Sequence, residues 1–345
     1  MDQGCDKVNN EGGKLTHYEG TEKLLELWFD IITLENGEVK KPKLPDDLRV
    51  IPRDEIAEML VKVKCEIVSF SERDEQHAYV LSESSLFISK RRLILKTCGM
   101  TTILASLDPL ITLAEKYCNF KVVDIFYSRK NFMRPDLQHS LYKSFEDEVK
   151  YLDSIFDRGA AYVLGRMNGD CWYLYTLDNS SIEQPDQTLE ILMTELDDEV
   201  MAHFQNTAGR KSEAVTKDSG IADLLPDCMI DGFVFDPCGY SMNGLLKNDG
   251  YVTIHVTPEK EFSYVSFETN ASMEEYSSLV ERILTTFRPG KFVMTLFTNE
   301  QAACRSSRGA LKETFLDRYT RQDRQYYEFK NYDLTFGHYI RDKKA

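Results

Sequence analysis

The sequence lacks the patterns that mark several large classes of protein. It has no run of about 18 apolar residues, which excludes a transmembrane helix. Its opening residues also lack the apolar core of a signal peptide. There is no glycine-rich phosphate loop, no HExxH motif of zinc proteases and no GxSxG nucleophile elbow. These absences predict a cytoplasmic protein with no membrane partner.

The cysteines lack the spacing of a metal or disulfide framework. The chain contains 8 cysteines, and no two of them form a CxxC pair. Neither a zinc ribbon nor a small disulfide scaffold is therefore predicted, and we expect no metal site. Most of the thiols are expected to be small buried side chains in a reducing compartment.

Basic residues are too few for a general nucleic-acid binder. Lys and Arg total 42 against 57 Asp and Glu, which gives a formal charge of −15. Because phosphate surfaces attract basic patches, this balance disfavours nucleic acid and anionic membranes, whereas it tolerates a cationic ligand. The 345 residues are 42% hydrophobic, enough for a substantial core. We predict a flexible tail at residues 1–16 and one compact domain at residues 17–345.

Hydrophobic periodicity predicts a mixture of helices and antiparallel strands. The spacing favours helices at residues 19–32 and 188–204, a strand at 61–70 and a loop at 211–220. The order strand, strand, helix, strand occurs around residues 61–127 and again around 251–298, which indicates two similar halves. Strands adjacent in sequence look antiparallel, so we predict an α+β fold with helices covering the sheet faces.

Two polar segments in the first half depart from this scaffold pattern. YVLSESSLFIS interrupts a strand at residues 82–85, and HYEGTEKLLE places Glu19, Glu22 and Glu26 at spacings of three and four. Taken singly, a turn and a solvated acidic face explain them better. The functional alternatives are a strained Glu83–Ser84 bond and an acidic stripe whose repulsion a bound cation relieves.

Two further segments lie in the second half. DPCGYSMNG gathers turn residues around Cys238 and Ser241, and TIHVTPEKEFSYVSFETN carries His255 in a strand, with Thr253 on the same face. A surface turn and a hydrogen-bonded structural histidine again explain each one better by itself. The occurrence of all four segments in one chain favours a reactive site.

These segments give the chain a resemblance to a known family. EGTEKLLE, YVLSESS, FYSRKNFM, PCGYSMNG, FSYVSFETN and PGKF are motifs by which it resembles the eukaryotic S-adenosylmethionine decarboxylases of the putrescine-activated animal type, from about residue 17 to Tyr332. The resemblance implies a four-layer αββα sandwich, with two antiparallel β-sheets between helices. It also implies decarboxylation of S-adenosyl-L-methionine to the aminopropyl donor for spermidine and spermine biosynthesis.

The resemblance implies that the chain is a proenzyme that cleaves itself between Glu83 and Ser84. The products would be a β chain of residues 1–83 and an α chain of residues 84–345. Ser84 would attack the Glu83 carbonyl in an N→O acyl shift and, after β-elimination, become a pyruvoyl group. In the family, the residue matching Ser241 stabilises the cyclic intermediate, and the residue matching His255 removes the Ser84 α-proton.

The pyruvoyl group is the cofactor that the resemblance implies, in place of a metal or pyridoxal phosphate. Its ketone would form a Schiff base with the substrate amine and act as the electron sink for decarboxylation. Cys98 matches the residue that reprotonates the substrate α-carbon. Without the resemblance, a buried structural thiol would be the better interpretation of Cys98.

Substrate contacts also follow from the matching positions. Tyr18 and Phe235 would stack on the adenine, and Tyr18 stands where many relatives have Phe, which presents a similar π face. Glu259 would hold the ribose hydroxyls. The remaining matched positions line the same site: Leu81, Glu83 through its backbone, Glu19 and Glu22.

The resemblance implies a second ligand, the activator putrescine. Its matching polar shell comprises Glu26, Asp186, Thr188, Glu190 and Glu268, its aromatic positions are Phe126, Phe297 and Tyr332, and Lys96 is a neighbouring base. Buried carboxylates without compensation are costly, and a diamine dication would remove that cost. The alternative is that the acids pair with Lys96 and bind nothing, as in constitutively active relatives. A homodimer is expected by similarity to animal members.

Two other functions compete with this interpretation. A non-catalytic regulatory paralogue that activates a partner decarboxylase would lose the processing serine, whereas this chain keeps Ser84, Cys98, Ser241 and His255. A serine hydrolase would need a Ser-His-acid triad and an oxyanion hole. The absence of a nucleophile-elbow motif disfavours the hydrolase.

Overall fold

The computed structural model describes most of the chain in two halves of the same plan. It describes residues 20–33, 40, 43–82, 84–177, 182, 184–205, 209–259, 261–304 and 318–342. The predicted tail at residues 1–16 lies outside them. The described helices include none that is long and apolar enough to cross a membrane.

The first half contributes eight strands and three helices. The strands are β1 Lys23–Ile31, β2 Ile67–Arg73, β3 Gln76–Leu81, β4 Ser84–Ser89, β5 Arg92–Thr97, β6 Phe120–Lys130, β7 Gly159–Gly165 and β8 Cys171–Leu177. The helices are α1 Arg53–Lys62, α2 Leu107–Cys118 and α3 Phe145–Asp153. Short 3₁₀ turns lie at Leu48–Val50, Ile103–Ser106, Pro135–Leu137 and Ser140–Tyr142.

The described part of the second half also contains eight strands. They are β9 Gln187–Thr194, β10 Met229–Val234, β11 Tyr240–Leu245, β12 Tyr251–Thr257, β13 Tyr264–Thr269, β14 Lys291–Asn299, β15 Tyr319–Glu328 and β16 Tyr332–Arg341. Its described helices are α4 Asp198–Met201, α5 Ser212–Asp218 and α6 Ser277–Phe287, with 3₁₀ turns at Ala202–Phe204 and Ile221–Asp223.

The two sheets share one strand order. The first runs β2-β3-β4-β5-β1-β6-β8-β7, and the second runs β10-β11-β12-β13-β9-β14-β16-β15. Each second-half strand therefore takes the place of the strand eight earlier in the chain. The neighbouring strands pair antiparallel throughout both sheets. The predicted α+β fold with two similar halves is confirmed.

The buried apolar side chains form three layers, which lie between four layers of helices and sheets. One core cluster draws on the first half alone and another on the second half alone, each between a sheet and its helices. Two further clusters mix residues of both halves, including Trp28 with Tyr264 and Phe87 with Tyr251. These mixed clusters lie between the sheets, so the order is helices, sheet, sheet, helices, as the resemblance implied.

The predicted helix over residues 19–32 is wrong, because Lys23–Ile31 forms the central strand β1. Leu25 and Leu27 face the helices, whereas Leu24 and Trp28 face the other sheet. A strand that is buried on both faces has a nearly continuous apolar run, and such a run also fits a helical period.

Three other predicted elements also differ. In residues 61–70 the apparent alternation crosses the end of α1, and the strand begins at Ile67. Within 188–204, the two-sided burial of β9 imitates a helix, and the helical part is α4. Within 211–220, Ser212–Asp218 is helical, with Glu213 near its positive end and Lys217 near its negative end.

Candidate active site

The serine pair of YVLSESS opens strand β4 and points in two directions. Ser84 is fully buried, pairs with Leu81 and Thr97 in the neighbouring strands, and its Oγ lies 3.4 Å from Cys65 Sγ. Because successive side chains alternate across a strand, Ser85 faces the second sheet instead. In the predicted polar break, β3 ends at Leu81 and β4 begins at Ser84, so Ser84 already belongs to the sheet.

A hydrogen-bonded chain joins Ser85 to an acid across the interface between the sheets. Ser85 Oγ lies 2.7 Å from His255 Nε2 and 2.9 Å from Thr253 Oγ1. The other ring nitrogen, His255 Nδ1, lies 2.5 Å from Glu22 Oε1. A carboxylate at Nδ1 fixes the orientation of the imidazole and directs Nε2 towards the start of β4. The predicted grouping of Thr253 with His255 on one face is confirmed.

The acid of this chain belongs to a buried cluster around Lys96. The Lys96 Nζ atom lies 3.2 Å from Glu22 Oε2, 2.8 Å from Glu190 Oε1 and 2.7 Å from Glu268 Oε2. Burial by itself would raise the pKa of Glu22, but Lys96 and His255 outweigh it and hold that pKa at about 2. Burial also opposes the charge on Lys96, yet Glu190 and Glu268 keep its pKa well above the usual range.

A second acidic group lies beside the first, around Arg92. Its guanidinium is 3.3 Å from Asp186 Oδ1 and 3.8 Å from Glu26 Oε1. Burial, reinforced by the charge of Asp186, raises the pKa of Glu26 to about 8. Burial likewise raises the pKa values of Asp186 and Glu190. Five buried carboxyl groups thus gather around two bases, and the raised pKa of Glu26 means that this acid holds a proton near neutral pH.

Three aromatic rings close this second group on one side. Phe297 stacks on Tyr332, with centroids 4.4 Å apart and planes at 7°. Phe126 meets both rings edge-on at 5.2 and 5.3 Å. The Tyr332 hydroxyl donates a hydrogen bond to Asp186 Oδ2 at 3.1 Å. The rings and the acids therefore form one continuous wall.

A cavity of about 100 Å³ lies where loops of both sheets meet at one end of the sandwich. Cys98 follows β5, Phe235 follows β10 and Glu259 follows β12, and all three line this cavity. Ser241 and His255 also line it and lie directly opposite each other in the β11–β12 pair. Gly239 lines it as well and has a φ of +109°, which favours glycine and lets the loop turn back.

The Glu259 carboxyl group has one oxygen available in this cavity. Burial raises its pKa, while a hydrogen bond from Cys238 lowers it. Its Oε2 atom is buried and has no hydrogen-bond partner among the described residues. An acceptor in that condition suits a ligand hydroxyl.

The structure brings together most of the predicted site residues in two connected regions. The cavity gathers Cys98, Phe235, Ser241, His255 and Glu259, and Glu22 links it to the acidic cluster. The second region gathers the predicted putrescine shell, including Thr188, which pairs with Phe297 across β9 and β14. Leu81 contributes its backbone beside Ser84. Tyr18, Glu19 and Glu83 lie outside the described residues.

The helical spacing suggested for the acids is wrong, although the acids do share faces. Glu22 lies just before β1 and Glu26 lies within it. In the same way, Asp186 lies just before β9 and Glu190 lies within it. Positions two and four apart lie on one face of a strand, so a strand aligns them as well as a helical turn would.

Several participants were missed at the level of sequence. Cys65 contacts Ser84, Arg92 is the counter-ion of Asp186, Trp172 Nε1 donates to Glu190 at 3.0 Å and the Tyr251 hydroxyl donates to Glu268 at 2.7 Å. Arg92 and Lys96 differ by four positions in a strand, which was an available signal that both bases share the face of the acids. Cys65 and Tyr251 carried no comparable signal.

Comparisons with known proteins identify what this chain is similar to. Residues 15–340 match the family model for adenosylmethionine decarboxylase. The S-adenosylmethionine decarboxylase proenzyme of Xenopus laevis is 50% identical over 323 residues, covering 92% of this chain and 94% of the relative. That of Drosophila melanogaster is 45% identical, covering 95% and 96%. A crystal structure of a Trypanosoma brucei AdoMetDC-delta26 monomer superposes with a TM-score of 0.61 at 25% identity, covering 75% of this chain and 99% of that one.

Proposed function

The chain belongs to the adenosylmethionine decarboxylase family, and from this premise we propose how its own residues carry out the activity. It is a self-processing enzyme that decarboxylates S-adenosylmethionine for polyamine synthesis. The observation that carries the residue assignment is the hydrogen-bonded chain from Glu22 through His255 to Ser85, the residue next to Ser84 at the buried start of β4.

In self-processing, Ser84 is the nucleophile and the residues around it prepare the reaction. The Ser84 hydroxyl attacks the carbonyl of Glu83, so the amide is replaced by an ester and Ser84 gains a free amino group. The hydrogen bond to Glu22 leaves His255 Nε2 directed at the residue next to Ser84, where it takes the α-proton of Ser84. The Ser84 Cβ–Oγ bond then breaks and releases Glu83 as a free carboxylate. The dehydroalanine left at residue 84 is hydrolysed by water to the pyruvoyl ketone with loss of ammonia. Ser241, opposite His255 in the β11–β12 pair, supports the cyclic intermediate of the earlier acyl shift.

In decarboxylation, the cavity holds the substrate and supplies the returning proton. The pyruvoyl group formed from Ser84 supplies the electron sink. Ser84 is the first residue of β4, and the buried backbone of that strand fixes the position of the group formed from it. Phe235 stacks on the adenine, the available oxygen of Glu259 accepts from the ribose hydroxyls, and Cys98 returns a proton to the α-carbon.

The intact mass of the purified protein under denaturing conditions tests this function. We expect two chains that divide after Glu83, with the α chain blocked at its N-terminus, and release of carbon dioxide from carboxyl-labelled S-adenosylmethionine. A chain that stays at 39.9 kDa through long incubation would refute self-processing and favour the regulatory paralogue.

We also propose that putrescine binds between the sheets as an activator. Glu26, which holds a proton near neutral pH, and the raised pKa values of Asp186 and Glu190, which share Arg92 and Lys96 with other acids, support a dication there. The Phe297–Tyr332 stack suits its methylene chain. Lys96 and Glu22 connect this region to His255, which offers a physical route for activation. Homodimer assembly and a cytoplasmic location remain proposals from the resemblance.

The raised pKa of Glu26 gives a pH prediction for this site. Between pH 4.5 and 8 the folded protein holds a proton on Glu26 that the unfolded chain releases, so stability falls as pH rises through this window. The slope for one such group is at most about 1.4 kcal/mol per pH unit. Putrescine favours the ionised acid, so its affinity increases with pH.

Thermal unfolding from pH 5 to pH 8, with and without putrescine, measures both effects. Glu26→Gln is expected to flatten the fall in stability and to weaken the increase of putrescine stabilisation with pH. Glu199→Gln, an exposed acid, is the control and should follow the wild type. Identical pH profiles for Glu26→Gln and the wild type would contradict the assignment.

A further inference from the structure

A second and larger cavity lies on the side of the sandwich where β7 and β8 approach β15 and β16. Its volume is about 230 Å³, and it reaches the surface beside exposed Glu328 and Lys330. Its inner end is formed by Phe126 and Tyr332, which are 5% and 4% exposed. It is separate from the cavity that contains Cys98 and His255, because no lining residue is shared between the two.

The lining of this cavity is dominated by aromatic rings. Tyr162 and Phe329 meet edge-to-face at 4.9 Å and 87°, and Phe329 lies 5.9 Å from Phe297. Tyr327 adds a further ring, 6.0 Å from Tyr162. Several rings around one small space form the arrangement by which proteins hold alkylammonium groups, since each ring face attracts a cation.

The charge behind the rings selects for a cation. The Tyr332 ring faces the cavity, while its hydroxyl bonds Asp186, so the side chain of one residue separates the cavity from the acidic group. The acids there outnumber the bases. Glu328 and Lys330 are both exposed at the mouth, where their opposite charges offset each other and solvent screens them.

We propose that this aromatic cavity binds the terminal ammonium of a linear polyamine longer than a diamine, while the rest of the molecule reaches Asp186. The inference rests on the proposed putrescine site and extends it. Because the Tyr332 side chain separates the cavity from Asp186, the polyamine reaches Asp186 by displacing the Tyr332 hydroxyl from its hydrogen bond. A triamine and putrescine therefore exclude each other at Asp186, and the longer polyamine controls occupancy by the activator.

Isothermal titration calorimetry of the full-length protein with spermidine and with putrescine tests this. Tyr162→Leu and Phe329→Leu keep an apolar side chain but remove the π face. Each should weaken spermidine binding about five- to thirtyfold, the effect of a desolvated cation–π contact, and change putrescine binding by less than twofold. Tyr162→Phe should keep the affinity for spermidine. Tyr319→Leu is the control, because that ring packs on Phe292 outside the cavity.

The outcomes distinguish the cavity proposal from the putrescine proposal on which it rests. Asp186→Asn should weaken both amines, and spermidine should displace putrescine from the wild type. If Tyr162→Leu and Phe329→Leu affect neither amine, or both equally, the cavity proposal is wrong and the putrescine site stands. If neither amine binds the wild type, both proposals are wrong, while self-cleavage and decarboxylation are judged by mass and carbon dioxide release.

Discussion

Replacing Ser84 by alanine is expected to leave the chain in one piece and without decarboxylase activity. The substitution removes the Oγ atom that would form the ester, and no other group can become the pyruvoyl carbonyl at that position. The loss of both cleavage and carbon dioxide release should therefore be complete. Intact mass and activity measured over several hours after purification provide the test.

The neighbouring Ser82 supplies the matched control for Ser84→Ala. Ser82 lies in the same connection between β3 and β4, and its Oγ accepts a hydrogen bond from the Glu66 amide at 3.1 Å. Ser82→Ala should still cleave, because that hydroxyl belongs to a residue two positions before the nucleophile. Equal thermal stability of the two variants would exclude misfolding as the cause. Formation of two chains by Ser84→Ala would contradict the assigned nucleophile.

Replacing Lys96 by methionine is expected to destabilise the protein by about 3–5 kcal/mol near neutral pH, the usual cost of leaving a buried charge without its partner. Lys96 is 1% exposed and bonds Glu190 and Glu268, so its removal exposes buried carboxylates to mutual repulsion. Chemical denaturation gives the change. Acid pH should restore part of the stability, because protonation neutralises the acids.

A second variant keeps the Lys96 prediction testable if the single one folds poorly. Lys96→Met combined with Glu268→Gln also removes one of the carboxylates that lost its partner, so the double variant should be more stable than Lys96→Met alone. Lys150→Met is the control, because its ion pair with Asp147 is on the surface, with the lysine side chain 76% exposed, and it should change stability little. Equal stability of Lys96→Met and the wild type would show that the cluster does not carry the charges assigned to it.

The family resemblance, carried by the motifs around Ser84, Ser241 and His255, indicated the residue types of the site. Of these three residues, Ser241 and His255 line one cavity at an end of the sandwich. The repeated order of elements also indicated two similar halves, because each half must bury one face of its sheet on helices and the other on its counterpart. The motifs and the order of elements can be identified even where single helices and strands are predicted wrongly.

The sequence was a poor guide to strands that are buried on both faces. β1 and β9 were predicted as helices, because a sheet held between helices and a second sheet leaves no polar side to reveal the period of two. Glu22 and Glu26 still share a face, since positions four apart do so in either element, whereas Glu19 lies outside the described residues.

Tertiary structure alone decided which distant groups touch. Glu22 and His255 are 233 positions apart, and Ser85 and His255 are 170 apart, yet each pair is hydrogen-bonded. Both contacts cross between the sheets and depend on the register of β1, β4 and β12, which composition and periodicity do not encode. The same register places five carboxyl groups around Arg92 and Lys96, so packing of the halves sets the charge balance that the proposed cationic ligands would complete.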